Sequence, residues 1–135
     1  MNNEQRIRFH IWVAARKGEP VLARVAFLDL YAELPDSPII LAQLADVEWE
    51  TGNLNDAVGY FKKAVTLRPA SETISLGLFH CLWELDRTDE AFDEMRRFVS
   101  EHDSDEYATL LREMRTRDGD EKEDNERAVP RDATH

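Results

Sequence analysis

Few side chains in this 135-residue sequence could do covalent chemistry. The single cysteine, Cys81, stands beside His80, and a thiol next to an imidazole is the pairing from which an activated nucleophile could be built. On a helix, however, adjacent residues point about 100° apart, so these two cannot face one another. Cys81 reads instead as a small buried residue. His10, His80, His102 and His135 show no metal-ligand spacing, and the Asp/Glu pairs fall at the spacing of solvated helix faces. With no nucleophile, base and orienting partner to name, the expectation is no enzyme, no cofactor and no metal. The remaining chemistry is recognition. Trp49 and Trp83 lie 34 residues apart, each followed by a glutamate, Glu50 and Glu84, with Trp12 further upstream. Tryptophan is over-represented among residues that carry binding energy, but an indole can equally pack between helices as core.

The elements that must position these residues follow from a fixed period. At a shift of 34, Gly18 falls on Gly52 and Asp86, Ala23 on Ala57 and Ala91, and Phe27 on Phe61 and Met95. Leu30 likewise falls on Ala64 and Phe98, and Pro35 on Pro69 and Asp103. Within the middle unit Leu41, Leu44, Ala45 and Glu48 recur at i, i+3, i+4, i+7. After a break at Thr51, Gly52 and Asn53, the set Leu54, Ala57, Phe61, Ala64, Val65 does the same. Each unit is thus a pair of helices. Gly52 suits the left-handed residue that ends the first helix, Asn53 or Asn55 the next N-cap, and Pro69 the stop. The first unit repeats the scheme with Gly18 at the turn, Pro20 near a helix start and Pro35 at the end. The spacing predicts helices near 4–17, 20–34, 38–51, 54–68, 72–85, 88–101 and 104–116.

This pattern of small, aromatic and proline positions resembles the tetratricopeptide repeat family, over residues 4 to about 105. The resemblance implies an all-α solenoid of three helix hairpins, at 4–37, 38–71 and 72–105, with a terminal capping helix, about seven helices in all. The last helix is marked by Tyr107, Leu110, Leu111 and Met114, with Asp103 and Glu106 placed as a capping box. Residues 1–116 then form the repeat domain. Residues 117–135 have almost no apolar side chain and are expected to be a disordered, charged tail.

In that family the first helix of each repeat lines a concave groove. Here the flanking line is Arg8, Ile11, Trp12 and Ala15, then Ala42, Ala45, Asp46 and Trp49, then Leu76, Phe79, His80 and Trp83. A partner is expected to touch Arg8, Trp12, Arg16, Asp46, Trp49, Glu50, Leu76, His80, Trp83 and Glu84, with Trp12 the most exposed of the three indoles. Arg8 and Arg16 would receive acidic residues, and Asp46, Glu50 and Glu84 basic ones. The clamp that holds a chaperone's C-terminal carboxylate in some members does not carry over, because only Arg8 among Arg8, Trp12, Gln43, Thr73 and Gly77 could serve in it.

Charge narrows the partner. The sequence carries a net charge of -11, which repels nucleic-acid phosphates and anionic membranes. Residues 1–37 hold five acids and five bases, whereas 72–105 hold ten acids and three bases. The polar N-terminus and the lone cysteine fit a cytoplasmic address. A protein or peptide partner, with basic character, is the expectation. Two forms of it fit: an acidic inhibitor of a basic protein, similar to bacterial immunity proteins, or a chaperone or scaffold holding an extended peptide, similar to the three-repeat chaperones of secretion systems. Homo-oligomerisation is left open by these residues.

Overall fold

The computed structural model describes the backbone of residues 1–128 and side chains through residue 117. It contains α1 (Asn3–Ala15), α2 (Pro20–Glu33), α3 (Pro38–Glu50), α4 (Leu54–Leu67), α5 (Glu72–Glu84), α6 (Thr88–Val99) and α7 (Asp105–Ala128), with no strand among the described residues. Met1–His102 is one compact unit in which consecutive helices pack and α3 also meets α5; Asp103 opens a second unit.

Local chemistry accounts for the helix ends. Asn2 caps α1 in a reciprocal box: its side chain accepts from the Gln5 amide at 2.8 Å, and Gln5 Oε1 accepts from the Asn2 amide at 2.9 Å. Ser37 and Ser71 cap α3 and α5 in the same register, accepting from the Ile40 and Ile74 amides. Pro20 and Pro38 occupy first-turn positions, where a missing N–H costs nothing. At the far ends, Leu34 and Arg68 precede Pro35 and Pro69 and are pushed out of helical geometry, to φ -134° and -139°.

The turn inside the second repeat is a Schellman closure: the Asn53 amide donates to Glu48 O at 2.7 Å and the Gly52 amide to Trp49 O at 3.0 Å, with Gly52 at φ 85°. The third repeat makes the same pair of bonds, Arg87 to Leu82 and Asp86 to Trp83, although Asp86 must then take φ 58°. Asp is one of the few side chains that tolerates that conformation. Gly18 departs from the expected scheme. It is not left-handed, and its turn closes instead through Gly18 and Glu19 amides on Ala15 O.

The 34-residue register is that of the core. Ala23, Ala57 and Ala91 are fully buried where two helices of a repeat touch, as are Phe27, Phe61, Met95, Leu30, Ala64 and Phe98 or nearly so. Two expectations for the last helix need correction. Its N-cap is Ser104, whose Oγ accepts from the Tyr107 amide at 3.1 Å, not an Asp103–Glu106 box. Its backbone also continues past residue 116, where a disordered tail was expected to begin, as far as Ala128. Half of the added stretch is Glu, Lys and Arg, good helix formers. The end of the expected tail, 129–135, lies outside the described residues. No helix among the described residues is long and apolar enough to cross a membrane.

Candidate functional site

The face carried by α3 and α5 is built on a close approach. A Cβ on Gly77 would sit 2.5 Å from the Phe61 ring, so the absence of a side chain there lets Phe61 of α4 lie against α5. Phe61, nearly buried, in turn presents its ring to Trp49, with centroids 6.4 Å apart and planes at 88°. That edge-to-face contact leaves the other side of the half-buried Trp49 toward His80, 6.5 Å away.

From His80 the rings continue. Phe79 is buried; Trp83 stacks on it at 6.0 Å and 15°, and Phe92 from α6 meets Trp83 edge-on at 5.8 Å. Trp83 remains 37% exposed and His80 is exposed, so Trp49, His80 and Trp83 make an aromatic strip whose other side is clamped by core rings. Leu76, half-buried, lies one turn before His80 on α5. The indoles therefore do both jobs considered from the sequence: each is packed on one side, and Trp83 is open on the other. Trp12 is the correction. It is half-buried against the cluster of Phe9, Phe27, Leu30 and Leu44, and Trp83 is the more exposed indole. Phe92 is the ring that sequence reasoning missed; it stands in register with Arg24 and Val58, so the period alone gave no signal for it.

The charges expected to polarise this face are partly spent within the molecule. Arg8 points to the end of α2 and grips Glu33 with two nitrogens, at 2.6 and 3.2 Å. This fork holds the Glu33 carboxyl below its usual range. Arg16 reaches across to the second repeat, where its Nε donates to Glu50 Oε1 at 3.1 Å and its Nη1 to Gln43 Oε1, with Asp46 Oδ2 at 3.4 Å. Burial is the largest influence on Asp46 and raises its pKa; Arg16 opposes that and Glu50 adds to it. Arg16, Asp46 and Glu50 thus latch repeat one to repeat two and offer a partner little net charge. Glu84, beside Trp83, has no ion pair among the described residues and remains the free acid of the strip.

Three of the four acids of α6 are likewise engaged within the molecule. Glu90 holds Arg87 with two hydrogen bonds, which bring its pKa down to about 2, and also meets Lys62. Asp93 pairs with Arg96. Glu94 is buried, accepts from Ser75 Oγ at 2.6 Å and is forked by Arg97, which also donates to Pro69 O. Glu94 is therefore a structural residue that ties α6 to α5. Cys81 is buried, and that burial pushes its thiol up to about 12, with Glu84 and Asp46 adding to the effect.

This geometry can be set beside known proteins. Residues 49–114 match the tetratricopeptide repeat family. No curated protein matches the chain. Among solved structures, the first repeat domain of Spaghetti (RPAP3) bound to the HSP90 peptide SRMEEVD is similar, with a TM-score of 0.71, 14% identity, and 83% of this chain and 90% of that one covered. The Sgt2 repeat domain from Aspergillus fumigatus gives 0.70 at 16% identity, covering 90% and 83%. MamA from Desulfovibrio magneticus RS-1 gives 0.66 at 21% identity over 74% of this chain; the match spans 57% of that protein's chain. At these identities the likeness is one of fold. Together with the family match over residues 49–114 and the period of 34, it gives this chain a tetratricopeptide-repeat fold.

Proposed function

We propose that this tetratricopeptide-repeat chain is a protein-binding module that receives a basic, apolar-bearing segment of a partner on the face of α3 and α5. One observation carries the reading: the ring succession Trp49, His80, Trp83 is held from beneath by Phe61, Phe79 and Phe92 and ends beside the unpaired Glu84. A pre-ordered aromatic surface loses little side-chain freedom on binding, and rings of this size are the usual carriers of interface energy. Glu84 next to Trp83 favours a Lys or Arg that covers the indole and meets the carboxylate. An acidic peptide such as the SRMEEVD bound by the Spaghetti repeat domain does not suit this face: Arg8 and Arg16 are already held by Glu33, Asp46 and Glu50.

Within that reading, the partner is a basic protein that this acidic chain inhibits, as bacterial immunity proteins do their toxins. The net charge of -11 supports it through long-range attraction. The chaperone reading has its own support in the length of the strip, which suits an extended segment. Selection of random displayed peptides on the immobilised protein tests the shared claim: the winners should combine Lys or Arg with bulky apolar residues, and enrichment of acidic peptides would reject it. Binding of a folded basic partner that weakens steeply with salt favours inhibition; binding of the same segment only when unfolded favours the chaperone.

A further inference from the structure

The first repeat has a second apolar surface that its fold does not use. On α2, Val21 is 69% exposed and Val25 54%, and Leu22, Leu28 and Ala32 are exposed beside them. Val21, Val25, Leu28 and Ala32 recur at i, i+4, i+7, i+11, on the side of the helix opposite the buried Ala23, Phe27 and Leu30. On α1, Ile7 is 61% and Ile11 56% exposed, with Ala14 in line, opposite the buried Phe9.

The register shows what is unusual. Shifted by 34, Val21, Leu22, Val25 and Leu28 fall on Asn55, Asp56, Gly59 and Lys62, then on Asp89, Glu90, Asp93 and Arg96. Those are ordinary solvent-facing residues, and only the first repeat replaces them with hydrocarbon. Ile7, Ile11 and Ala14 fall on Leu41, Ala45 and Glu48, and on Ser75, Phe79 and Leu82, all of them buried, Ser75 and Phe79 against Glu94 and Phe92 of their own hairpin. The α1 stripe thus occupies positions that the other two repeats bury, and no helix of the described structure covers it. Exposed apolar stripes of this extent mark contact sites.

We infer that these stripes are where two copies of the chain meet, first repeat to first repeat, in a closed two-fold dimer. Charge selects this occupant. A chain of net charge -11 repels its own copy everywhere except where the local balance is neutral, and residues 1–37 carry five acids and five bases. Three of the four arginines of this repeat are already engaged by carboxylates, Arg8 by Glu33, Arg16 by Asp46 and Glu50, and Arg24 by Glu48, and Arg6 donates to Met1 O at 3.3 Å. A strongly charged partner finds little to grip here, whereas an uncharged apolar face of equal extent is what a second copy supplies. A two-fold contact uses the same patch twice and stops at two. The aromatic strip on α3 and α5 lies on other helices, so this inference stands whether or not that strip binds a partner.

Sedimentation equilibrium of the 135-residue chain over a concentration series tests it, with helical content and melting followed alongside. The dimer mass is expected, tightening as salt screens the net repulsion. Val25→Glu and Ile11→Glu, at exposed positions, should each weaken dimerisation by about tenfold or more with melting unchanged, and Trp83→Ala should leave the dimer mass as it is. Should the glutamates disturb folding, Val25→Cys provides a second arm: mild oxidation should cross-link two copies through this residue, the native Cys81 being buried. A monomer at every concentration, a dimer indifferent to both glutamates, a mass that keeps climbing, or no cross-link would each overturn the inference.

Discussion

The first and third repeats share a backbone plan and a core register, yet their surfaces are inverted. In the first, α2 turns Val21, Val25 and Leu28 outward, the net charge is zero, and Trp12 is packed against the core. In the third, α6 turns Asp89, Asp93 and Arg96 outward, and Trp83 stands open above Phe79 and Phe92. The positions that decide whether a hairpin forms are the small and apolar ones at its centre, and on the second helix of each pair these are buried at every shift of 34. The remaining positions are free to be spent on contacts. Two hairpins of the same fold can then face different partners, because nothing in the packing of one constrains the outer chemistry of the other.

The comparison can be broken most easily at Glu94, whose acidic appearance suggests steering and whose burial indicates structure. Glu94→Lys should cost about 3 kcal/mol, the low end for a broken buried pair because Arg97 is one-third exposed. An unchanged denaturation midpoint would return Glu94 to the surface charges. Gly77→Ala comes next: the added methyl meets the Phe61 ring, and overpacking of about 1–2 kcal/mol should exceed the gain in helix propensity. A stabilised Gly77→Ala would mean that Phe61 moves aside freely and that the strip is less rigid than its ring contacts imply.

A smaller effect concerns acid. Glu90 has its pKa lowered to about 2 from an ordinary 4.5, so its contribution to stability is full above pH 4.5 and is lost as pH falls toward about 2. Glu33, lowered by Arg8, acts in the same direction in the first repeat. Glu90→Gln should flatten that part of the acid limb in melting experiments, and an identical pH profile would show the Arg87 and Lys62 contacts to be without thermodynamic weight. Asp46, raised by burial, works the opposite way, its contribution weakening as pH rises. Smallest of all, Asp86→Gly should stabilise by about 0.5–1 kcal/mol, since the third repeat then gains the residue that Gly52 provides in the second; a loss of stability would mean that the Asp86 side chain contributes more than its backbone strain costs.

The period made the seven helices of the described residues and the buried alanines legible, because helix spacing and close packing are local rules that repeat. The partners of arginine were not legible. The sequence alone offers Arg16 to acidic and Asp46 to basic residues of a partner, but a long side chain on α1 reaches α3, and only the stacking of the two repeats shows it. The ranking of tryptophan exposure failed for a related reason. Trp12 has Phe9, Phe27 and Leu44 to pack on, whereas Trp83 is lifted by Phe79, and burial is decided by neighbours the period does not contain. The contrast of Val21 with Asn55 and Asp89 lies in the same alignment that exposed the repeat, and it acquires meaning only when surface exposure is known.

The most direct test of the binding face is calorimetric titration of a selected basic, apolar peptide into the wild-type chain and into Trp83→Ala. The account predicts a loss of about 2 kcal/mol, roughly 30-fold in affinity, with helicity kept and melting lowered by only a few degrees. Equal affinity for the two proteins would contradict it and return Trp83 to the core.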